Sequence, residues 1–375
     1  MAGFFIMGFV DIVGVATSYV KADFSGMTDS MAGMLSLSCF FWFLVLSVPT
    51  GLLMGRIGRK TTVLASFVIT LVAMILPVVW YDFAGIMTAF ALLGIGNTIL
   101  QVSLNPLVTD VIAQDKVTGT LTLGQFVKAV SSFLGPVLAA VCAGSAFGWK
   151  AIFPVYAAVT LAAALWLYFT PIGSQAKASV TAPALGKTLA LFKDRYVLMF
   201  FIGILVLVGM DVGMGVTIPK LLQERCGLSL EKAGIGNSAY FFARTVCAFV
   251  GGLLLMKVPE RRFYPASVAV ALCGLAVLLL SGSLAWITVG IVMFGAGFAN
   301  LFSIIFSLSL KRVPDKADEV SSLLIMGVSG GAVIPPVLGF FTDAFGTQSA
   351  ALLVIMAAGL YLLLLTCMVR GVGKA

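Results

Sequence analysis

The sequence predicts an all-α integral membrane protein whose twelve transmembrane helices form two pseudo-symmetric six-helix halves. Composition is the first reason. Of 375 residues, 61% are hydrophobic and 10% are charged, against about 25% charged in an ordinary soluble domain. The second is that about twelve apolar stretches approach the ~20 residues a helix needs to cross a bilayer. The third is a repeat: the chain reads twice, shifted by about 200 residues. Gly8-Phe9-Val10-Asp11-Ile12-Val13-Gly14-Val15 returns as Gly209-Met210-Asp211-Val212-Gly213-Met214-Gly215-Val216, and Gly135-Pro136-Val137-Leu138 as Pro335-Pro336-Val337-Leu338. Long repeats with several hydrophobic segments per copy mark carriers that bind substrate between two related halves.

In chain order, the first half (1–170) places spans near 2–20, 31–54, 61–79, 84–106, 119–142 and 150–170. A polar connection at 171–195 carries Lys177, Lys187, Lys193 and Arg195 and reads as a cytoplasmic linker. The second half (196–375) places spans near 196–218, 233–256, 263–280, 284–308, 320–342 and 350–369. No cleavable signal peptide is read ahead of the first span. Of the 23 Lys and Arg, sixteen fall on one side of these spans and five on the other, with Lys128 and Arg244 inside spans. The excess marks the first side as cytoplasmic and puts both termini there.

The formal charge of +8 comes from short basic clusters between apolar runs, so nucleic acid is a poor partner and a lipid bilayer the natural one. The six cysteines are scattered without a CxxC pair and read as small packing residues.

Asp11, Lys128, Asp211 and Arg244 lie well inside spans. A charge at the bilayer centre costs roughly 2.5–3.5 kcal/mol on insertion scales. These four therefore face the bundle interior, a water-filled cavity or each other. One reading is two buried ion pairs that fix packing; the other is a functional site, and a pair that breaks on ligand or proton arrival satisfies both. The chain contains no histidine. Proton coupling would thus require a carboxylate, and Asp11 and its repeat counterpart Asp211 are the two acidic residues deep in spans.

Asn97, Gln101 and Asn105 recur at i, i+4 and i+8 in span 4, one slowly turning stripe. Amides donate and accept, which suits hydroxyl-rich ligands; interhelical bonding or helix-end capping is the alternative. Gln125, Lys128 and Ser132 share a face of span 5, and Asn237, Tyr240, Phe241 and Arg244 a face of span 8. Two cations, Lys128 and Arg244, beside one cavity would suit a carboxylate or phosphate.

Between spans 2 and 3, Gly51-Leu52-Leu53-Met54-Gly55-Arg56-Ile57-Gly58-Arg59-Lys60 resembles the signature loop of the major facilitator superfamily, G-x-x-x-D-R-x-G-R-K/R, with Gly55 at the acidic position. The resemblance makes Gly51, Gly55, Arg56, Gly58, Arg59 and Lys60 a conformational-switch loop. Gly94-Ile95-Gly96-Asn97-Thr98-Ile99-Leu100-Gln101-Val102-Ser103-Leu104-Asn105-Pro106 is similar to the fourth span of the fucose/galactose/glucose–proton symporter group. That similarity implies a proton-coupling role for Asp11 and sugar-contacting positions at Gln125 and Lys128. It also places Gln101, which cannot ionise, where a glutamate can stand. Spans 5 and 8 are then expected to pack together across the halves.

Enzymatic readings find no support. Gly327-Val328-Ser329-Gly330-Gly331 matches G-x-S-x-G, yet falls inside span 11 with no histidine to act as base. There is no Walker loop, metal-binding cluster or cofactor motif. Gly51-x-x-x-Gly55 and Gly209-x-x-x-Gly213 permit close helix approach, and Gly330-Gly331 permits bending.

The expected function is alternating-access, proton-coupled uptake of a monosaccharide or sugar derivative by a monomer in a bacterial inner membrane. Asp11 takes the proton, Asn97, Gln101, Gln125 and Asn237 hold hydroxyls, and Lys128 and Arg244 gate or orient substrate. Transport of a sugar acid or other small organic anion is the alternative, efflux of amphipathic compounds a third, and a non-transporting nutrient sensor the reading from another class.

Overall fold

The computed structural model describes residues 1–111, 117–144, 147–171, 189–255, 257–312 and 317–371. Among these there are helices and turns and no strand. Twelve helices are long and apolar enough to cross a membrane. Spans 1–6 are Ala2–Asp23, Asp29–Gly51, Arg59–Val79, Phe83–Leu104, Leu123–Ala143 and Gly148–Phe169. Spans 7–12 are Arg195–Cys226, Leu230–Leu255, Glu260–Leu280, Leu284–Ser309, Leu323–Phe345 and Gln348–Cys367. Most of the connection expected at 171–195 lies outside the described residues, as does the side chain of Asn105; Gly55 falls in the helix Asp29–Ile57.

Span 7 departs from its expected end near 218 and runs on to Cys226. The reason is local: Leu221 and Leu222 continue its buried face, and Gly227, at φ +61°, supplies the left-handed stop. At its start, Asp194 caps the helix, accepting from Tyr196 N–H at 2.8 Å.

Three spans are interrupted. In span 1, the α-helix Ala2–Met7 gives way to a 3₁₀ turn over Gly8–Asp11 before resuming at Ile12. Asn97 Nδ2 donates to the Met7 carbonyl at this break, 3.0 Å away. In span 10, helices end at Phe298 and restart at Leu301, and Asn300 donates to the Cys247 carbonyl at 2.9 Å. In span 11, a 3₁₀ turn over Gly327–Ser329 precedes the glycine pair expected to bend. Short 3₁₀ pieces inside long helices are typical of hinges.

Buried apolar side chains gather in two clusters. One draws on residues 4–163 together with Val328 and Ala332, the other on residues 191–369. Within the second half, Cβ atoms on Gly209 and Gly213 would run into Ile334 and Leu338, so the spacing read in span 7 serves its packing on span 11. Among the described residues nothing lies within 4 Å of a Cβ on Gly51, so the close approach read for Gly51-x-x-x-Gly55 is not seen there.

The halves meet along spans 1, 2, 7 and 11 and along spans 5 and 8. A Cβ on Gly33 of span 2 would sit 2.7 Å from Pro336 Cα of span 11, and one on Gly339 2.4 Å from the Asp29 carbonyl oxygen. Only glycine lets these backbones touch. Spans 5 and 8 pack as expected, with Phe126 on Phe249 at 6.4 Å and Phe133 on Phe242 at 5.8 Å between ring centres.

Candidate functional site

A narrow cleft between the halves is lined by Val10, Asp11, Gly14 and Phe40 on one side and Asp211, Val212, Gly215 and Phe241 on the other. It holds about 10 Å³, room for one water. The two repeat-related aspartates thus line one cleft from opposite halves, and the cleft must widen before anything larger than a water can enter.

Asp11 ends the 3₁₀ turn of span 1, where the tightened backbone sets its side chain toward span 5. Its Oδ2 accepts the hydroxyl of Ser132. Asp211 sits on an unbroken stretch of span 7 and is held differently. Its Oδ1 accepts from Tyr240 OH at 2.5 Å, and Arg244 Nη1 lies 2.6 Å from Oδ1 and 2.5 Å from Oδ2. Tyr240 and Arg244 stand one turn apart on span 8, so a single helix face supplies both. Arg244 also lies 5.8 Å from the Phe241 ring. Of the two buried ion pairs that four such charges could make, the structure forms one, Asp211–Arg244; Asp11 and Lys128 are not within ion-pair distance.

Lys128 is half-buried one turn from Ser132 and is within electrostatic reach of Asp11, Asp211 and Arg244. Its ammonium makes no hydrogen bond among the described residues. Gln125, one turn nearer the basic end of the molecule, is exposed. Exposure thus rises along this face from buried Ser132 through Lys128 to Gln125.

The other amides are more committed. Asn97 is 1% exposed, bonds span 1, and accepts at Oδ1 from Gln101 Nε2 at 2.8 Å. Both amides are thereby tied into the span 1–span 4 contact. Asn237 donates to the Gly215 carbonyl at 2.7 Å, while its Oδ1 is buried with no partner. Among the described residues it is a buried amide oxygen with unused capacity, one hydrogen bond away from the cleft-lining Gly215. Between spans 2 and 3, Gly58 ends the span 2 helix at φ +85°. Lys60 Nζ donates to the Tyr168 and Thr170 carbonyls at 3.1 and 2.7 Å, docking the loop on the end of span 6. Arg56 is exposed.

Sequence reasoning missed a polar latch at the opposite end. Asp29 bonds Lys21 of its own half at 2.7 Å, and Lys220 and Gln348 of the other half, the last at 3.2 Å. Asp343 in turn accepts the N–H of Asp29 at 2.9 Å, the N–H of Ser30 at 2.8 Å and the Ser30 hydroxyl at 2.5 Å. It therefore caps the first turn of span 2 from across the seam, where the helix dipole favours an anion. Thr28-Asp29 is a readable helix start, but nothing in the sequence tied it to residues some 190 and 310 positions away. Among the described residues no group of His, Cys, Asp and Glu is arranged to hold a metal ion.

Comparison with known proteins agrees with this architecture. The "Glucose/galactose transporter" of Brucella abortus biovar 1 is 27% identical over 373 residues, covering 94% of this chain and 89% of that protein. The "Probable nitrate transporter NarT" of Staphylococcus carnosus is 26% identical over 323 residues, covering 84% and 80%. The crystal structure of the E. coli fucose:proton symporter FucP superimposes with a TM-score of 0.72 at 16% identity, covering 98% and 97% of the two chains. The family profile of the Major Facilitator Superfamily matches residues 1–334 and 206–373. With its twelve spans, its paired central aspartates and its signature loop, the chain belongs to the Major Facilitator Superfamily.

Proposed function

We propose that this protein carries a monosaccharide or close sugar derivative across the membrane together with a proton, by alternating exposure of the central cleft. The observation that carries the reading is Asp11, a carboxylate in a broken turn of span 1, bound by one hydroxyl and facing its counterpart Asp211 across the cleft. It is the group best placed to take and release a proton where the halves meet. The relative named for glucose and galactose and the structural neighbour named for fucose and protons support the substrate class.

In this mechanism the latch around Asp29 and Asp343 closes the extracellular side. The increasing exposure from Ser132 to Gln125 marks the cytoplasmic approach. Proton and sugar enter when the latch parts, Asp211 and Arg244 hold the second half's side of the site, and Asn237 Oδ1 accepts a sugar hydroxyl. Asn97 and Gln101 hold span 1 in register for Asp11, and Gln101 reaches substrate only if it releases Asn97. Arg56, Arg59 and Lys60 act at the cytoplasmic end. The chain works as a monomer in a bacterial inner membrane, both termini inside.

One observation favours a second reading. The Lys128 ammonium, without a hydrogen-bond partner among the described residues, could bind a sugar acid or other small anion, and a relative carries a nitrate-transporter name. Current and vesicle pH recorded in reconstituted membranes separate the two. Inward positive current with external alkalinisation on adding glucose or galactose supports sugar–proton symport. A response confined to sugar acids overturns it in favour of Lys128-centred anion transport.

A further inference from the structure

The Ser132 hydroxyl has two acceptors and one hydrogen. Its Oγ lies in hydrogen-bond contact with Asp11 Oδ2 and 3.0 Å from the Lys128 carbonyl oxygen one turn earlier on the same helix. Ser132 is 4% exposed, so solvent has little access to that hydrogen. The Lys128 carbonyl is also where span 1 rests on span 5: a Cβ on Gly8 would lie 2.7 Å from that oxygen. Gly8 opens the 3₁₀ turn that Asp11 closes. One hydroxyl thus joins the central carboxylate to the backbone contact beneath the break in span 1.

We infer that Ser132 is a positioning residue that reports the proton occupancy of Asp11 to the span 1–span 5 contact by switching its hydrogen bond. With Asp11 ionised, Ser132 donates to Oδ2. When Asp11 takes a proton, the carboxyl O–H becomes the donor to Ser132 Oγ. The serine O–H then rotates to the Lys128 carbonyl. No bond to hydrogen breaks within the serine; only its torsion changes. Loading the carboxyl therefore brings a donor to the carbonyl on which Gly8 sits, at a 3₁₀ turn inside a long helix, a place where hinges are often found. The inference rests on the proposed proton coupling and adds the part that senses it.

Other charged and titratable groups face Asp11 from each packed element: Lys128 on span 5, Cys39 on span 2, Tyr156 on span 6, and Asp211 and Arg244 from the second half. All remain when Ser132 is replaced, so a change on replacement isolates the hydroxyl.

The test uses the full chain in proteoliposomes, with galactose uptake followed against external pH for wild type, Ser132→Ala and Ser132→Thr. The Asp11 carboxyl infrared band, assigned by its loss in Asp11→Asn, is titrated in parallel. A hydroxyl donated to a carboxylate favours the ionised form. Its loss should move both midpoints upward by about one pH unit in Ser132→Ala, while Ser132→Thr, which keeps the hydroxyl, stays near wild type. Wild-type midpoints retained in Ser132→Ala, with amplitude alone reduced, overturn the role of Ser132 and leave proton coupling standing. Wild-type uptake independent of pH overturns both.

Discussion

Asp343 of span 11 accepts the backbone N–H of Asp29, the first residue of span 2, at 2.9 Å, joining the two halves through a helix start. A carboxylate capping a helix contributes about 1 kcal/mol, roughly fivefold in the ratio of two states. Asp343→Ala should therefore favour the state open at this end. A cysteine placed at Ser36, on the same face of span 2 as Gly33 and Phe40, should react severalfold faster with a membrane-impermeant thiol reagent in cells. An unchanged rate would show that the contact is not limiting for opening.

Asp211 and Arg244 form a pair with side chains 16% and 27% exposed. Removing one partner strands the other's charge in a mostly buried place, at about 3 kcal/mol or less given the residual exposure. Asp211→Asn and Arg244→Gln should each lower the thermal midpoint in detergent. The double variant should recover much of the loss without recovering transport. Equal, additive losses would show that the two do not act as a pair.

Asp11→Asn keeps the shape of the side chain and removes its proton. Sugar counterflow should persist in vesicles while uphill accumulation driven by a pH gradient disappears. Full accumulation in this variant would dismiss Asp11 as the coupling group.

Lys128→Gln separates the two substrate readings. If Lys128 binds an anion directly, the change should weaken sugar acids by about tenfold or more and leave matched neutral sugars within a small factor. Parallel weakening of both classes would assign Lys128 to gating.

Much of this was legible before any coordinates. Hydrophobic length, the 200-residue repeat and the basic clusters specify the spans, because a bilayer imposes one period and one length on every crossing segment. Asp11, Asp211 and Arg244 stood out because charge inside an apolar run is costly, and the structure brings all three around one cleft. Pairing was less legible: Asp211 and Arg244 are 33 positions apart, and sequence alone left Lys128 an equal claimant. The breaks at Gly8–Asp11 and Asn300 are not legible in the sequence, since an interruption of two to four residues preserves the apolar pattern around it. The Asp29 latch escaped for a plainer reason: Lys21, Lys220 and Asp29 read as ordinary end-of-span charges until the seam is assembled.

Gly14 and Gly215 face each other across the cleft so closely that a Cβ on Gly14 would lie 3.1 Å from Gly215 Cα. At this crossing there is no side chain to swing aside. A gate made of rotamers would open in picoseconds to nanoseconds, whereas two backbones in contact part only by moving whole helices, on a scale of microseconds to milliseconds. Opening at this crossing therefore takes the separation of spans 1 and 7, and a transported molecule meets a barrier that is mechanical before it is chemical.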